Sequence, residues 1–224
     1  MSIDPGDMRG LQALVRECPG LTAGHILTPV EAKDPYYDNA AGSPSLILQL
    51  EFDDIALLEG HLRINGYLAC LAAATFLPGL RGTDATQQAM LTRRYPVPEE
   101  RSYATDESVL SYWVEYAGPA EDESAWHNAY VRHHPHLLAR LPGIRSIEIY
   151  TPVVAICELR LPVRGCLQRN KTVFDSPEAM TAAMLTPARD ALREDFRKLP
   201  PFEGAALHFP FMTRSYRPTE QRCL

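Results

Sequence analysis

The second half of the chain carries the clearest pattern of hydrophobic and polar positions. Residues 109–116 (VLSYWVEY) are rich in β-branched and aromatic residues and predict a strand. Apolar and aromatic residues then recur at spacings of three and four, which predicts an amphipathic helix facing a sheet. The members of this stripe are Trp126, Tyr130, His133, Leu137 and Leu141. Pro142 and Gly143 end the helix.

The remaining pattern of this half completes a known unit. Residues 145–150 and 154–161 predict two further strands. Ser176 followed by Pro177 predicts a helix start, with the serine as N-cap, and Pro187 divides that helix in two. Residues 207–216 predict the last strand. The resulting order, β-α-β-β-α-β, is the ferredoxin-like unit.

The same signals occur earlier in the chain, which predicts a tandem duplication. Three short segments match in the same order, and their offset drifts only from 123 to 121 residues. The matched pairs are 19–30 with 142–153, 52–54 with 174–176, and 90–95 with 211–216.

The duplication predicts an α+β fold made of two ferredoxin-like repeats that pack sheet to sheet as an α+β barrel. The first repeat spans residues 1–98 and the second 106–218, with a polar, proline-containing connector at 96–106. The offset leaves no room for the opening strand of the first repeat, which begins at a helix near residues 5–18. Its second helix includes the apolar stretch 67–77. We expect the sheet edge left by the missing strand to be covered, because an open edge invites pairing with other chains.

Composition and charge narrow the functional classes. The net charge of −6 and the scattered arginines argue against a nucleic-acid partner. The most apolar stretch is about half the length of a membrane span, and the polar, acidic start is unlike a secretory signal. Five widely spaced cysteines without a CxxC pair are typical of a reducing compartment. We therefore expect a cytoplasmic protein that contacts neither membrane nor nucleic acid.

One segment resembles a known family. Residues 126–145 (WHNAYVRHHPHLLARLPGIR), then Tyr150 and residues 174–179 (FDSPEA), resemble the dimeric α+β barrel superfamily. The likeness is greatest to its ethyl tert-butyl ether degradation (EthD-type) branch, in which aromatics precede a histidine, a Leu-Pro-Gly and a Phe-Asp-Ser helix start. Here Pro135 directly follows His134, and His136 takes the usual proline position. The superfamily includes isomerases, cyclases, cofactor-independent oxygenases, haem enzymes and proteins without known activity.

Histidines are the first candidates for chemistry, since four of the seven lie within residues 127–136. A half-buried His134 would serve as a general base, with Tyr130 assisting; the alternative is a solvated helix end. Pro135 predicts a break that turns His134 towards a pocket between helix and sheet. We expect His133 to be packed and hydrogen-bonded. Because no further ligand stands at a matching spacing, we expect no metal and no other cofactor.

Aromatic residues would shape the pocket. Tyr112 and Tyr116 lie on one face of their strand and Trp113 on the other, by the period of two. These residues bind a flat or apolar ligand or simply form core. The predicted ligand-binding set is Tyr112, Trp113, Tyr116, Trp126, His133, Tyr150 and Arg214. Arg214 would bind a carboxylate or pair across the barrel.

The sequence thus favours an EthD-like protein of open specificity. The first hypothesis is a cofactor-independent isomerase, cyclase or oxygenase that acts on a small hydrophobic or aromatic metabolite. The alternatives are a non-catalytic or stress-related ligand-binding barrel and a haem-linked member. The duplication allows an intrachain barrel and also a homodimer of such chains.

Overall fold

The computed structural model describes residues 3–37, 42–73, 75–104 and 107–217. Five α-helices and seven β-strands follow the chain, with two short 3₁₀ helices at Tyr67–Ala72 and Pro78–Leu80. The first half contains α1 (Pro5–Glu17), β1 (Ala23–Pro29), β2 (Ile47–Glu51), α2 (Ile55–His61) and β3 (Met90–Tyr95). The second half contains β4 (Ser108–Tyr116), α3 (Glu123–Leu138), β5 (Ser146–Pro152), β6 (Gln168–Phe174), α4 (Pro177–Met184), α5 (Pro187–Phe196) and β7 (Ala206–Tyr216).

All seven strands belong to one antiparallel sheet in the order β2-β1-β7-β4-β6-β5-β3. The two halves are joined by the pairs β1–β7 and β3–β5. Strands 4.8 Å apart would place β2 and β3 about 29 Å from each other in a flat sheet. Yet Arg94 of β3 forms an ion pair with Glu51 of β2. The sheet is therefore curled into a half-barrel, and side chains link its two edges.

The fold has three apolar clusters. The outer face of the sheet packs against α3, α4 and α5 around the fully buried Trp126, Tyr130 and Phe174. The helix α1 packs on the first half and on Tyr216 of β7. The inner face of the curl holds Leu27, Trp113, Tyr150, Phe209 and Phe211. Both faces of the sheet are thus buried over its central strands, as the continuous burial of β4 also indicates.

Local sequence signals explain several element boundaries. Asp4, Asp54, Asp122 and Ser176 cap the helices α1, α2, α3 and α4, each accepting a hydrogen bond from a backbone N–H of the first turn. Pro187 separates α4 from α5, as predicted. Before Ala23 the described residues form α1 and no strand. None of the described helices combines the length and hydropathy that a membrane span needs.

Two predictions of secondary structure were wrong. Residues 154–161 form no strand; Val154 is 97% exposed, and the strand lies later, at β6. The sequence of β6, QRNKTVF, does not show the hydrophobic pattern of a buried strand. Its polar side chains are buried against partners on both faces of the sheet. The apolar stretch 67–77 is not a regular helix either, because the described part of it forms a 3₁₀ turn that packs against α1.

Candidate functional site

A cavity of about 40 Å³ lies between the outer face of the sheet and the helices α3 and α5. Aromatic and aliphatic side chains form most of its wall, and a few polar groups converge on it, which is the usual make-up of a ligand site. Strands β4, β6 and β7 supply its floor, and α3, α4 and α5 supply its roof. The lining residues are Tyr112, Val114, Tyr116, Tyr130, His134, Leu138, Leu141, Asn170, Thr172, Met184, Arg189, Leu192 and His208.

The spacing along α3 decides which histidine reaches the cavity. Four buried side chains of this helix recur every four residues, namely Trp126, Tyr130, His134 and Leu138, and Pro135 is buried beside them. His134 is 6% exposed, whereas His133 is exposed, so the prediction of a packed His133 was wrong. The helix also continues through Pro135 without a break. Spacings of three and four both fit a helical period of 3.6 residues, so the sequence stripe could not discriminate between the two neighbours.

His134 is held by a carboxylate on the facing helix. Its Nδ1 lies 2.8 Å from Oδ2 of Asp195 on α5. Because burial lowers the pKa of His134 below its usual 6.5 more than Asp195 raises it, the imidazole is neutral at neutral pH. The same hydrogen bond lowers the pKa of Asp195, which is ionised. A carboxylate only accepts, so the proton sits on Nδ1, and Nε2 keeps its lone pair.

Tyr130 presents a hydroxyl proton beside this imidazole. Its ring centroid is 4.6 Å from that of His134. The Tyr130 oxygen accepts hydrogen bonds from Asn170 Nδ2 and from the Tyr116 hydroxyl, which is 3.4 Å away. Both lone pairs are thereby engaged, which leaves the O–H of Tyr130 to donate. Burial raises the pKa of Tyr130 well above its usual value, so the hydroxyl stays protonated.

A second imidazole, His208 of β7, lines the same cavity. Its Nδ1 lies 3.1 Å from the backbone oxygen of Ala206, and its ring stacks on Tyr37 with centroids 3.5 Å apart. Burial, and then the nearby Arg189, lower its pKa to about 3. His208 is therefore neutral, with the proton on Nδ1.

The first half of the chain completes one end of the cavity. The loop after β1 places Asp34 where its Oδ2 accepts from the Tyr112 hydroxyl at 2.8 Å. The same oxygen accepts from Arg189 Nε at 3.1 Å and Nη2 at 2.9 Å. The Arg189 guanidinium also lies over the rings of Tyr36 and Tyr37. This cluster fixes a buried cation at the wall of the cavity.

The other predicted site residues lie elsewhere. Trp113 and Tyr150 stack on each other at 5.5 Å on the inner face of the curl, away from the cavity. Trp126 stacks on Tyr130 but does not line the cavity; its indole N–H is sealed without a hydrogen-bond partner in the described structure. Arg214 on β7 is exposed and forms no ion pair within the described ranges. Tyr112 and Tyr116 share the outer face, as the period of two predicts.

Polar residues also fill part of the inner face. We call this group the inner network: His25, Gln49, Glu51, Glu148, Tyr150 and Lys171. Lys171 Nζ lies 2.8 Å from Glu148 and 3.0 Å from Gln49 Oε1, and His25 lies between Ser215 and Glu51. Lys171 and the Tyr150 hydroxyl hold the pKa of Glu148 down to about 2 against its burial. Each polar side chain of the network has a partner.

Sequence reasoning missed Asp34, Asn170, Arg189, Asp195 and His208. Only His208 had a readable signal: it alternates with Leu207 and Phe209 on a predicted strand and so faces the helices. The others act through contacts between distant segments, such as Asp34 with Arg189, 155 residues apart. Among the described residues, no three His, Cys, Asp or Glu side chains converge as ligands for a metal ion.

Three solved structures match the chain at low sequence identity, two of them with a TM-score above 0.5. An anthrone oxidase-like protein matches with a TM-score of 0.60 and 13% identity, covering 99% of this chain and 91% of its own. A monooxygenase-like protein from Fusobacterium nucleatum matches with a TM-score of 0.51 and 9% identity, covering 94% and 89%. An EthD family protein from Bacillus halodurans has a TM-score of 0.35 and 17% identity and covers 50% of this chain and 99% of its own.

No family model and no curated protein matches the chain. The first two structural likenesses show a mixed α+β fold with a curled antiparallel sheet, as in α+β barrel proteins. They leave the reaction and the substrate open.

Proposed function

We propose that the cavity is the active site of a cofactor-independent enzyme that removes a proton from a carbon atom next to a carbonyl group. The substrate would be a small hydrophobic or aromatic molecule. One observation carries the proposal: His134 Nε2 has no hydrogen-bond partner in the described structure, and the Tyr130 hydroxyl belongs to the adjacent ring on the same cavity wall. A neutral base beside a hydrogen-bond donor is the pair that such a reaction requires.

The roles follow from the geometry. The substrate carbonyl oxygen would accept the O–H of Tyr130, and His134 Nε2 would take the proton from the neighbouring carbon. The C–H electron pair then moves into the enolate, whose oxygen Tyr130 stabilises. Asp195 would stabilise the imidazolium that forms, through the Nδ1 hydrogen bond. Asn170 and Tyr116 hold the Tyr130 hydroxyl in place.

The proposed deprotonation is compatible with an isomerase, a cyclase or an oxygenase, because each of these reactions can begin with it. Returning the proton to another atom gives an isomerase. If the enolate carbon instead forms a bond to dioxygen and the resulting peroxide takes the proton from His134, the product is a hydroperoxide and dioxygen is the oxidant. The name of the anthrone oxidase-like neighbour fits this class of reaction.

Binding of a small ligand without chemistry is the second candidate. Its lining of apolar walls with a few converging polar groups fits binding whether or not a reaction follows. At about 40 Å³, against about 300–1,000 Å³ in typical ligand pockets, the cavity would have to widen for a ligand in either case. In this reading His134 and Tyr130 bind a ligand that leaves unaltered.

We further propose that the two halves, 1–98 and 106–218, are copies of one ferredoxin-like unit. Gly20 and Gly143 support this, because each follows a helix and a proline with a φ of 67° and 71°, the left-handed conformation that glycine tolerates best. The strands β1 and β5 that come next both end in Thr-Pro. A homodimer and a cytoplasmic location remain predictions.

Deuterium exchange tests the proposed chemistry. Phenylpyruvate has one aromatic ring and an acidic C–H next to a ketone, and NMR in D₂O follows the loss of that proton. We expect the protein to accelerate exchange and His134→Gln to lower the acceleration about 10²–10⁴-fold, the usual contribution of a general base. Because the pKa of His134 lies below 6.5, the rate should fall only at pH values under 6.5.

His133→Gln is the matched control, since it removes the exposed neighbour on the same helix. It should leave the exchange rate unchanged. Equal exchange in the wild type and His134→Gln would overturn the proposed base. Binding of phenylpyruvate without any exchange would support the second candidate.

A further inference from the structure

His208 is a polar group of the cavity that the proposed deprotonation does not use. It is 9% exposed and comes from β7, on the floor opposite the helices that carry His134 and Asp195. The backbone oxygen of Ala206 can only accept, so the Nδ1 of His208 donates to it. The tautomer is thereby fixed, and Nε2 is left as a hydrogen-bond acceptor. Nε2 has no partner within the described structure, and it is not among the atoms sealed from solvent.

The surroundings keep this acceptor from becoming a donor. Arg189 of α5 brings a positive charge close to the ring and opposes its protonation, while the Asp34 carboxylate favours protonation less strongly. His134 of α3 also opposes a positive charge on His208, and Tyr37 covers one ring face. Burial is the largest cause of the lowered pKa of His208, and it acts in the same direction as Arg189.

No neighbouring donor bonds to Nε2 in the described structure, and the nearest ones point at Asp34 instead. The Tyr112 hydroxyl, whose ring lies 5.7 Å from that of His208, donates to Asp34. Arg189 donates both Nε and Nη2 to the same carboxylate. A ligand that fills this end of the cavity without a donor would strip Nε2 of solvent and leave it unpaired, which is unfavourable.

We propose that His208 is a specificity-determining residue that selects ligands with an O–H or N–H donor facing Nε2. The inference rests on the proposed function in that it assigns a second contact in the same cavity. Tyr130 and His134 would hold the reacting carbonyl end, and His208 would hold a donor at another position of the ligand. Sites built to bind a hydroxyl discriminate strongly against analogues that lack it.

Binding affinities measured by calorimetry test this assignment with two probes, phenylpyruvate and its para-hydroxylated form. We expect the wild type to bind the hydroxylated probe about tenfold more tightly. His208→Phe keeps an aromatic ring against Tyr37 but removes the acceptor. It should abolish this preference, so that the two probes bind with about equal affinity. His208→Gln carries an oxygen near the position of Nε2 and should restore the preference. His133→Phe is the matched surface control and should retain the wild-type ratio.

The ratio of the two affinities separates an effect on specificity from an effect on folding. If His208 had only a structural role, its replacement would weaken the binding of both probes equally. A tenfold preference that survives in His208→Phe, or no preference in the wild type, would overturn the inference. If either of these two results were found but deuterium exchange still depended on His134, the proposed function would stand without the inference about His208. A preference that depends on His208, found without any deuterium exchange, would support the inference and reject the proposed deprotonation. If neither probe bound, the inference and the proposed function would both be rejected.

Discussion

The protein has two buried groups of polar side chains, one on each face of its sheet, and they differ in how completely they are satisfied. On the inner face, Lys171, Glu148, Gln49 and Tyr150 bond to one another in a closed network. On the outer face, His134 and His208 each use only Nδ1 and leave Nε2 unpartnered within the described residues.

This difference separates stability from function. A fully paired buried network specifies the packing of the curled sheet and offers no atom to a ligand. Acceptors without a protein partner beside a cavity are available to a ligand. Both groups contain several titratable residues, so their number does not separate them. The state of their hydrogen bonds favours the outer cavity.

Lys171→Met should have the largest effect, a loss of stability caused by disruption of the inner network. The variant leaves the Glu148 carboxylate buried without the ammonium group that pairs with it. We therefore expect the free energy of unfolding to fall by about 3–5 kcal/mol. Denaturant unfolding measures the loss. Adding Glu148→Leu should recover part of it, because the uncompensated charge is removed. A Lys171→Met variant of wild-type stability that lost deuterium exchange would reverse the roles of the two groups.

Asp195→Asn should affect the outer cavity with little change in stability. The amide cannot stabilise an imidazolium as a carboxylate does, and a hydrogen bond to a charged group contributes about 1.5–3 kcal/mol. We expect the exchange rate to fall about 10- to 100-fold. The neighbouring Glu194→Gln is the control, since Glu194 pairs with Arg197 on the surface. Equal rates in the two variants would exclude Asp195 as the positioning residue.

The protonation of His208 gives a prediction for stability against pH. The unfolded chain takes up a proton at this residue below pH 6.5, whereas the folded chain does so only near pH 3. Stability should therefore decrease as the pH falls through this window. His208→Gln should reduce the slope by about 1.4 kcal/mol per pH unit, the value for one proton. Parallel slopes in the wild type and the variant would show that His208 titrates normally when folded.

Tyr116→Phe should have the smallest effect. It removes one hydrogen bond to the Tyr130 oxygen, at 3.4 Å, while Asn170 remains. A neutral hydrogen bond contributes about 0.5–1.5 kcal/mol, so we expect a two- to tenfold loss of exchange rate. Asn170→Leu should cost more than Tyr116→Phe. The opposite order would mean that Tyr116, and not Asn170, orients the hydroxyl.

Local patterns predicted much of the fold and part of the site. The period of two placed Tyr112 and Tyr116 on one face of β4 and Trp113 on the other, and the helical stripe placed Trp126 and Tyr130 against the sheet. Hydrophobic burial produces these patterns, and it acts along a single element.

The rest of the site depends on pairs that no local pattern encodes. Asp195 holds the buried His134 by a hydrogen bond between helices, and Asp34 reaches Arg189 from the other half of the chain. The strand β6 escaped prediction for a related reason. Its Asn170 and Lys171 are buried because partners on other strands and helices satisfy them, and the hydrophobic pattern cannot show that.

A crystal structure with para-hydroxyphenylpyruvate bound would show which face of the sheet holds the ligand. We expect the ligand in the cavity between α3 and the sheet. Its ketone oxygen should lie in hydrogen-bonding distance of the Tyr130 hydroxyl, its acidic carbon should face His134 Nε2, and its ring hydroxyl should contact His208 Nε2. A ligand bound on the inner face, against Lys171 and Glu148, would contradict the account.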